Sequence, residues 1–237
     1  MTRCLPTRFR HPAGAGALSA TAAQPLPGMP GPLRAATAVL LLAAAALAGG
    51  CAADNPDRYY TLASPAEPAA VAPVAGPPLF IEVAPVAVPE RLAKPQMLVR
   101  RKPQSAEVEL LEQSRWTSSF EKELRDALSA GISERLGAID ASKAARQAGD
   151  LPSWRITMQL TQFDAVQDDR IDAAMNWSLR RTDAPRAVTC RWTGSERVGP
   201  GIDGLAAGAQ RVVAQVSAQV ARQIAAAQAG NPALPVC

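Results

Sequence analysis

The chain has 237 residues, with 25 Lys and Arg against 21 Asp and Glu, and a single histidine. The positive excess is Arg3, Arg8, Arg10 and Arg34, which stand in a 50-residue opening stretch without an acid, so 21 basic residues face 21 acidic ones beyond it. A neutral body lacks the electrostatic footprint of a nucleic-acid binder. His11 lies in that same stretch, so the rest has no imidazole to activate a nucleophile or to ligate zinc.

The apolar run Ala35 to Leu47 follows Arg34 and closes on Ala48, Gly49, Gly50 and Cys51. It is too short to cross a bilayer, which takes about 20 residues. A basic start, a short apolar core and small residues before a cut describe a secretory signal. The Leu-Ala-Gly-Gly-Cys stretch resembles the bacterial lipobox, although Ala48 stands where that box prefers Leu. Residues 1–50 are therefore read as a signal peptide, with Met29 as a candidate true start. Cys51 is the expected lipidation site, carrying diacylglycerol and an acyl chain. The competing readings are a soluble secreted protein in which Cys51 is an ordinary thiol, and an uncleaved anchor. Cys190 and Cys237 either pair in an oxidising compartment or stay as a buried thiol and a tail thiol.

Residues 51–78 are expected to form a lipidated N-terminus and a tether. Ala63 to Pro78 reads ASPAEPAAVAPVAGPP, and proline at this density favours extended chain that would hold a domain roughly 50 Å from the lipid. The domain is assigned to residues 79–230, with 231–237 as a C-terminal tail. Alternation predicts short strands over Leu79 to Ala84, Met97 to Arg101 and Val108 to Leu111. Pro85, Pro89, Pro95 and Pro103 confine them to edges or ends.

From Thr117 to Leu136, Ser118 and Glu121 make a capping box, and Phe120, Leu124, Leu128, Ile132 and Leu136 form a helical stripe. The i,i+4 pairs Glu121–Arg125 and Lys122–Asp126 support it. Three alternating strands follow, over Ile156 to Thr161, Ile171 to Arg180 and Val188 to Thr193, the pattern of antiparallel strands with one buried face. Asp168 and Asp169 mark a hairpin turn. The last element is a helix from Gly204 to about Ala229, with Asp203 as N-cap and Leu205, Ala209, Val213, Val216, Val220 and Ile224 on its apolar side. The fold class is α+β: a mixed, largely antiparallel sheet covered on one face by two long helices, a two-layer sandwich.

Several motifs in order resemble one family. CAADNPDRYYTL places Tyr59 and Tyr60 shortly after the cysteine. IEVAPVAVPERLAKPQMLVRR carries Pro85, Val86, Pro89, Arg91, Pro95, Gln96, Val99 and Arg100, and Arg115-Trp116 precedes a helix. Together they are similar to the PqiC-like ABC-type transport auxiliary lipoproteins over about residues 51–228. That resemblance implies an outer-membrane lipoprotein in an intermembrane lipid transport system, partnered by an MCE-domain protein, an ABC permease and an ATPase. It also implies a homo-oligomer, and Ala52, where an inner-membrane retention signal would have Asp, agrees with outer-membrane delivery. It supplies no catalytic residue, no metal and no cofactor beyond the lipid on Cys51. Tyr59, Tyr60, Arg91, Gln96, Arg100 and Trp116 are candidates for partner docking, against the alternative that the aromatics pack and Arg100 pairs locally. Two rivals stand: a carrier that itself encloses an acyl chain, and a hydrolase working through Asp168, Asp169 or Asp172.

Overall fold

A computed structural model of the chain describes residues 56–63, 78–143 and 151–229. The order is β1 (Arg58–Tyr60), β2 (Phe80–Val83), a 3-10 turn at Glu90–Leu92, β3 (Gln96–Val99), β4 (Glu109–Trp116) and helix α1 (Phe120–Leu136). Then come β5 (Ile139–Asp140), β6 (Ser153–Val166), β7 (Arg170–Arg181), β8 (Ala187–Arg197) and helix α2 (Gly201–Gln228). The α+β class holds.

The strands divide into two sheets where the sequence suggested one. A five-stranded sheet runs β5-β2-β6-β7-β8 and a three-stranded one runs β1-β4-β3. The meander β6–β7–β8 is antiparallel, as its alternation predicts. β2 sits between two parallel neighbours, β5 and β6, so Phe80, Ile81 and Val83 are all buried. A parallel strand covered on both faces loses strict alternation. The division traces to β6, whose pairing with β7 shifts register between Leu160 and Gln162. A bulge bends its strand. The sequence carries its mark, because Leu160 and Phe163, an odd number of residues apart, are both buried. Beyond the bulge β6 meets the small sheet, where the Arg100 N–H donates to Ala165 O at 2.8 Å and the Gln167 N–H to Arg100 O at 2.9 Å.

Both helices lie on one face of the larger sheet and on each other. Phe120, Leu124, Leu128 and Ile132 are buried along α1, and Leu136 is half-buried at its end. The helix starts later than the capping box suggests. Ser119 is the N-cap, its hydroxyl accepting from the Lys122 N–H at 3.4 Å, whereas Ser118 turns its hydroxyl to Glu123. Lys122 pairs with Asp126 at 2.6 Å as expected, but Arg125 leaves Glu121 for Val83 O, Asp126 and Ser142.

α2, by contrast, begins three residues early, and Asp203 lies in its first turn rather than at the N-cap. The capping work passes to Asp168 of the β6–β7 turn, which accepts from the Gly201 N–H at 2.6 Å. The apolar side named from sequence is buried throughout, and Gln223 is buried with it, accepting from Trp177 Nε1–H at 2.8 Å.

The entry into α2 needs close backbone contact. A Cβ on Gly204 would stand 2.2 Å from Gly199 O and 2.3 Å from its carbonyl carbon. Gly to Ala inside a helix ordinarily stabilises by about 1 kcal/mol. Gly204→Ala is expected to reverse that sign and cost about 1–3 kcal/mol, as overpacking does, read as a lowered urea midpoint at unchanged m-value.

Candidate functional site

The N-terminal residues 57–63 cross the mouths of both helices as a strap. β1 adds to the edge of β4 in parallel, with Arg58 opposite Ser114, Tyr59 opposite Arg115 and Tyr60 opposite Trp116. The Thr117 N–H closes the ladder by donating to Tyr60 O at 2.9 Å. Leu62 then inserts into the core and is only 1% exposed. Burying a leucine contributes about 1.5–3 kcal/mol, which makes it the strap's main plug.

Two carboxylates in the first helical turns hold the polar atoms of the strap. Glu123 of α1 accepts from Thr61 Oγ1–H at 3.0 Å, the Leu62 N–H at 3.2 Å, Ser118 Oγ–H at 3.2 Å, and the Thr117 hydroxyl. Asp203 of α2 accepts from Arg58 Nη2–H at 2.6 Å and Tyr60 Oη–H at 2.8 Å. Arg58 also lies over the Tyr60 ring, 5.5 Å from its centroid. Gln210, farther along α2, donates to Thr61 O at 2.9 Å. Helix N-termini favour negative charge, so the same carboxylates that suit the helices bind the strap. A fully exposed ion pair such as Arg58–Asp203 contributes little. Glu123 and Leu62 therefore dominate.

Partial burial pushes the Glu123 carboxyl up, but its four donors outweigh that and leave it below its ordinary 4.5. Asp203 is also lowered, first by the Arg58 hydrogen bond and then by Tyr60. A carboxyl depressed in the folded state stabilises fully above its unfolded value and loses that contribution as pH falls through the folded value. Strap retention is accordingly complete at neutral pH and declines below about pH 4. Leu62→Ala is expected to lower stability by about 2–4 kcal/mol and Glu123→Gln by about 1–2 kcal/mol, both exposing 57–63 to limited proteolysis. Arg58→Ala should leave the cleavage pattern unchanged, and cleavage as fast as in Leu62→Ala would contradict this ranking.

The residues singled out from sequence do not converge on one patch. Trp116 is buried against Phe120, with centroids 5.7 Å apart, and Phe120 meets Phe163 at 5.1 Å. Arg100 is half-buried and donates to Asp164 at 2.8 Å and to Ser105 O. Gln96 reaches Glu112 at 3.4 Å, and Tyr60 is half-buried on Asp203. Tyr59 stays 60% exposed, and Arg91 projects from the 3-10 turn. Asp169 and Asp172 hold Arg170 at 2.6 and 2.9 Å. Glu123, Asp203 and Gln210 were invisible in sequence as site residues, because only the tertiary fold brings the strap to them.

Cys190 is buried, accepts from Gln223 Nε2–H at 3.2 Å, and is disulfide-bonded. Cys51 and Cys237 lie outside the described residues, as does most of the Pro-rich stretch, 64–77. Both flanks of that stretch, Ala63 and Pro78, belong to the folded body, which corrects the tether reading: β1 places 58–63 inside the domain. Among the described residues no cluster of His, Cys, Asp and Glu is arranged to hold a metal, and no helix is long and apolar enough to cross a membrane.

The helix-free face of β6–β8 is polar. Cross-strand rows there are Arg155 beside Arg180, Thr157 beside Ser178 and Thr189, and Gln159 beside Asn176 and Arg191. Arg155 leans to Glu82 at 3.8 Å, while Arg180 and Arg191 make no ion pair among the described residues. Between the two sheets, a cavity lined by Leu92, Met97, Trp116, Phe120, Phe163 and Leu205 measures about 10 Å³. That is room for about one water.

Against this geometry the comparisons are specific about family. The chain belongs to the ABC-type transport auxiliary lipoprotein component family, whose model matches residues 60–221. It is thus a lipoprotein-type auxiliary component of ABC-type transport, a class defined by transport rather than by catalysis. A crystal structure of an uncharacterized protein is similar at 21% identity and TM-score 0.56, covering 72% of this chain and 99% of that one. Protein XCC0632 from Xanthomonas campestris, of family DUF330, is 16% identical with TM-score 0.46, covering 62% and 85%. The PelC dodecamer from Paraburkholderia phytofirmans is 14% identical with TM-score 0.34, covering 60% and 91%. No curated protein matches.

Proposed function

We propose that this chain is an outer-membrane lipoprotein subunit of an intermembrane phospholipid transport system, docking with an MCE-domain protein served by an ABC permease and ATPase. The observation that carries the reading is the family match over residues 60–221, which reaches from the strap into α2 and so takes in most of the folded body. Cys51 is the lipidated residue, and the chain works by position rather than by catalysis. The polar face of β6–β8 receives the transport partner, with Arg180 and Arg191, which pair with no acid among the described residues, as its charges. A homo-oligomer presents several such faces to one conduit. Cys190 pairs with Cys237, since Cys4 falls in the signal peptide and Cys51 carries lipid.

The rival carrier reading draws no support from the cavity between the sheets, about 10 Å³ against the several hundred that a ligand site of ordinary size encloses.

In-cell crosslinking of the lipidated protein is expected to capture an MCE-domain protein, with its permease or ATPase behind it. The double variant Arg180→Glu/Arg191→Glu should keep stability within about 0.5 kcal/mol, as exposed substitutions do, and lose most of that capture. Undiminished capture would move the docking surface elsewhere. Cys51→Ser should release the protein from membranes, and an unchanged membrane fraction would refute lipidation. A non-reducing peptide map that fails to join Cys190 to Cys237 would remove the proposed bridge.

A further inference from the structure

The place where the strap enters the fold bounds the distance between domain and bilayer. With lipid on Cys51, as proposed above, the leash that joins lipid to fold is the stretch from Cys51 to Arg58. Seven Cα steps span at most about 25 Å when fully extended. The Pro-rich stretch adds nothing to this reach, because it begins and ends on the same folded body: Leu62 before it is plugged into the core, and Phe80 after it is in β2.

The leash emerges at one recognisable corner. β1 is the edge strand of the small sheet, Arg58 is bonded to Asp203 in the first turn of α2, and Tyr59 projects from that edge at 60% exposure. Tyrosine is enriched at membrane–water interfaces, where its ring lies among the headgroups and its hydroxyl stays wet. Tyr59 has that geometry, its hydroxyl donating to Asp57 at 3.3 Å and to no other group among the described residues. The far end of α2 lies well away, since Gln228 is 25 residues beyond Asp203 on one continuous helix, about 37 Å along its axis.

We infer that the β1 edge, with Tyr59 and the mouth of α2, rests on the phospholipid surface, and that the domain is held there by a leash too short to let it roam the periplasm. The occupant of this edge is the lipid headgroup layer itself. The domain stands on the membrane and points the C-terminal end of α2 away from it.

The test uses the lipidated, full mature chain in vesicles of phosphatidylethanolamine and phosphatidylglycerol. A photo-reactive benzoylphenylalanine is placed at Gln113, exposed on β4 beside the start of β1, or at Gln228. Phospholipid adducts are counted by mass spectrometry, and vesicle flotation is scored on the same samples. Adducts at Gln113 should exceed those at Gln228 at least fivefold. Inserting 20 Gly/Ser residues between Asn55 and Pro56 should cut the Gln113 adducts about eightfold, from the −3/2 power dependence of local concentration on leash length, with flotation unchanged. A chain that floats yet gives equal adducts at the two positions, or none at Gln113, overturns the inference and leaves lipidation standing. Protein adducts at Gln113 in place of lipid overturn it in favour of a partner. A chain that does not float overturns both readings together.

Discussion

Everything distinctive in this molecule depends on the capture of seven residues, Asp57 to Ala63, by the first turns of two helices. Glu123 and Asp203 each lie where a helix favours negative charge, and each spends that charge on the incoming strap. The hydrogen bonds give direction and register, but the strength comes from burial. Leu62 is sealed in the core, and one such side chain outweighs the exposed Arg58–Asp203 pair by a wide margin. Remove the strap and the small sheet loses its β1 edge, while the hydrophobic core loses Leu62.

Through that capture a weak sequence element acquires a mechanical role. In the proposed reading a lipid at Cys51 fastens the chain to a membrane, and the strap fixes the domain a few residues later. Orientation follows from where the strap lies. On that reading the β1 edge is the side nearest the anchor and α2 runs away from it, while the polar face of β6–β8 lies on the larger sheet. For a transport auxiliary component, whose family is defined by partnership rather than chemistry, such fixed geometry is the useful property.

Elements with a strong internal period were legible in the sequence. The Phe120–Ile132 stripe, the three alternating strands and the apolar side of α2 all appear where periodicity places them, because local patterning and tertiary burial agree there. What escaped was short and long-range. β1 has three residues and β5 has two, each paired in parallel with a partner far along the chain, and nothing in three residues announces such a partner. The Pro-rich stretch after β1 made everything before residue 79 look like a tether. Glu123 and Asp203 looked like ordinary first-turn acids, and Asp168 like a turn residue. The bulge in β6 was readable in principle from the broken parity between Leu160 and Phe163. Of the docking candidates, Trp116 and Arg100 are occupied in packing and local pairing, while Tyr59 stays exposed for the reason the strap supplies.

Hydrogen–deuterium exchange on the strap addresses the central claim most directly. If residues 57–63 belong to the folded body, the amides of Tyr60 and Leu62 exchange as slowly as those of β4 and collapse together with them in Leu62→Ala. Exchange of those amides at the rate of free chain, while β4 stays protected, would mean that the strap is a tether after all and that the domain is not held at the membrane.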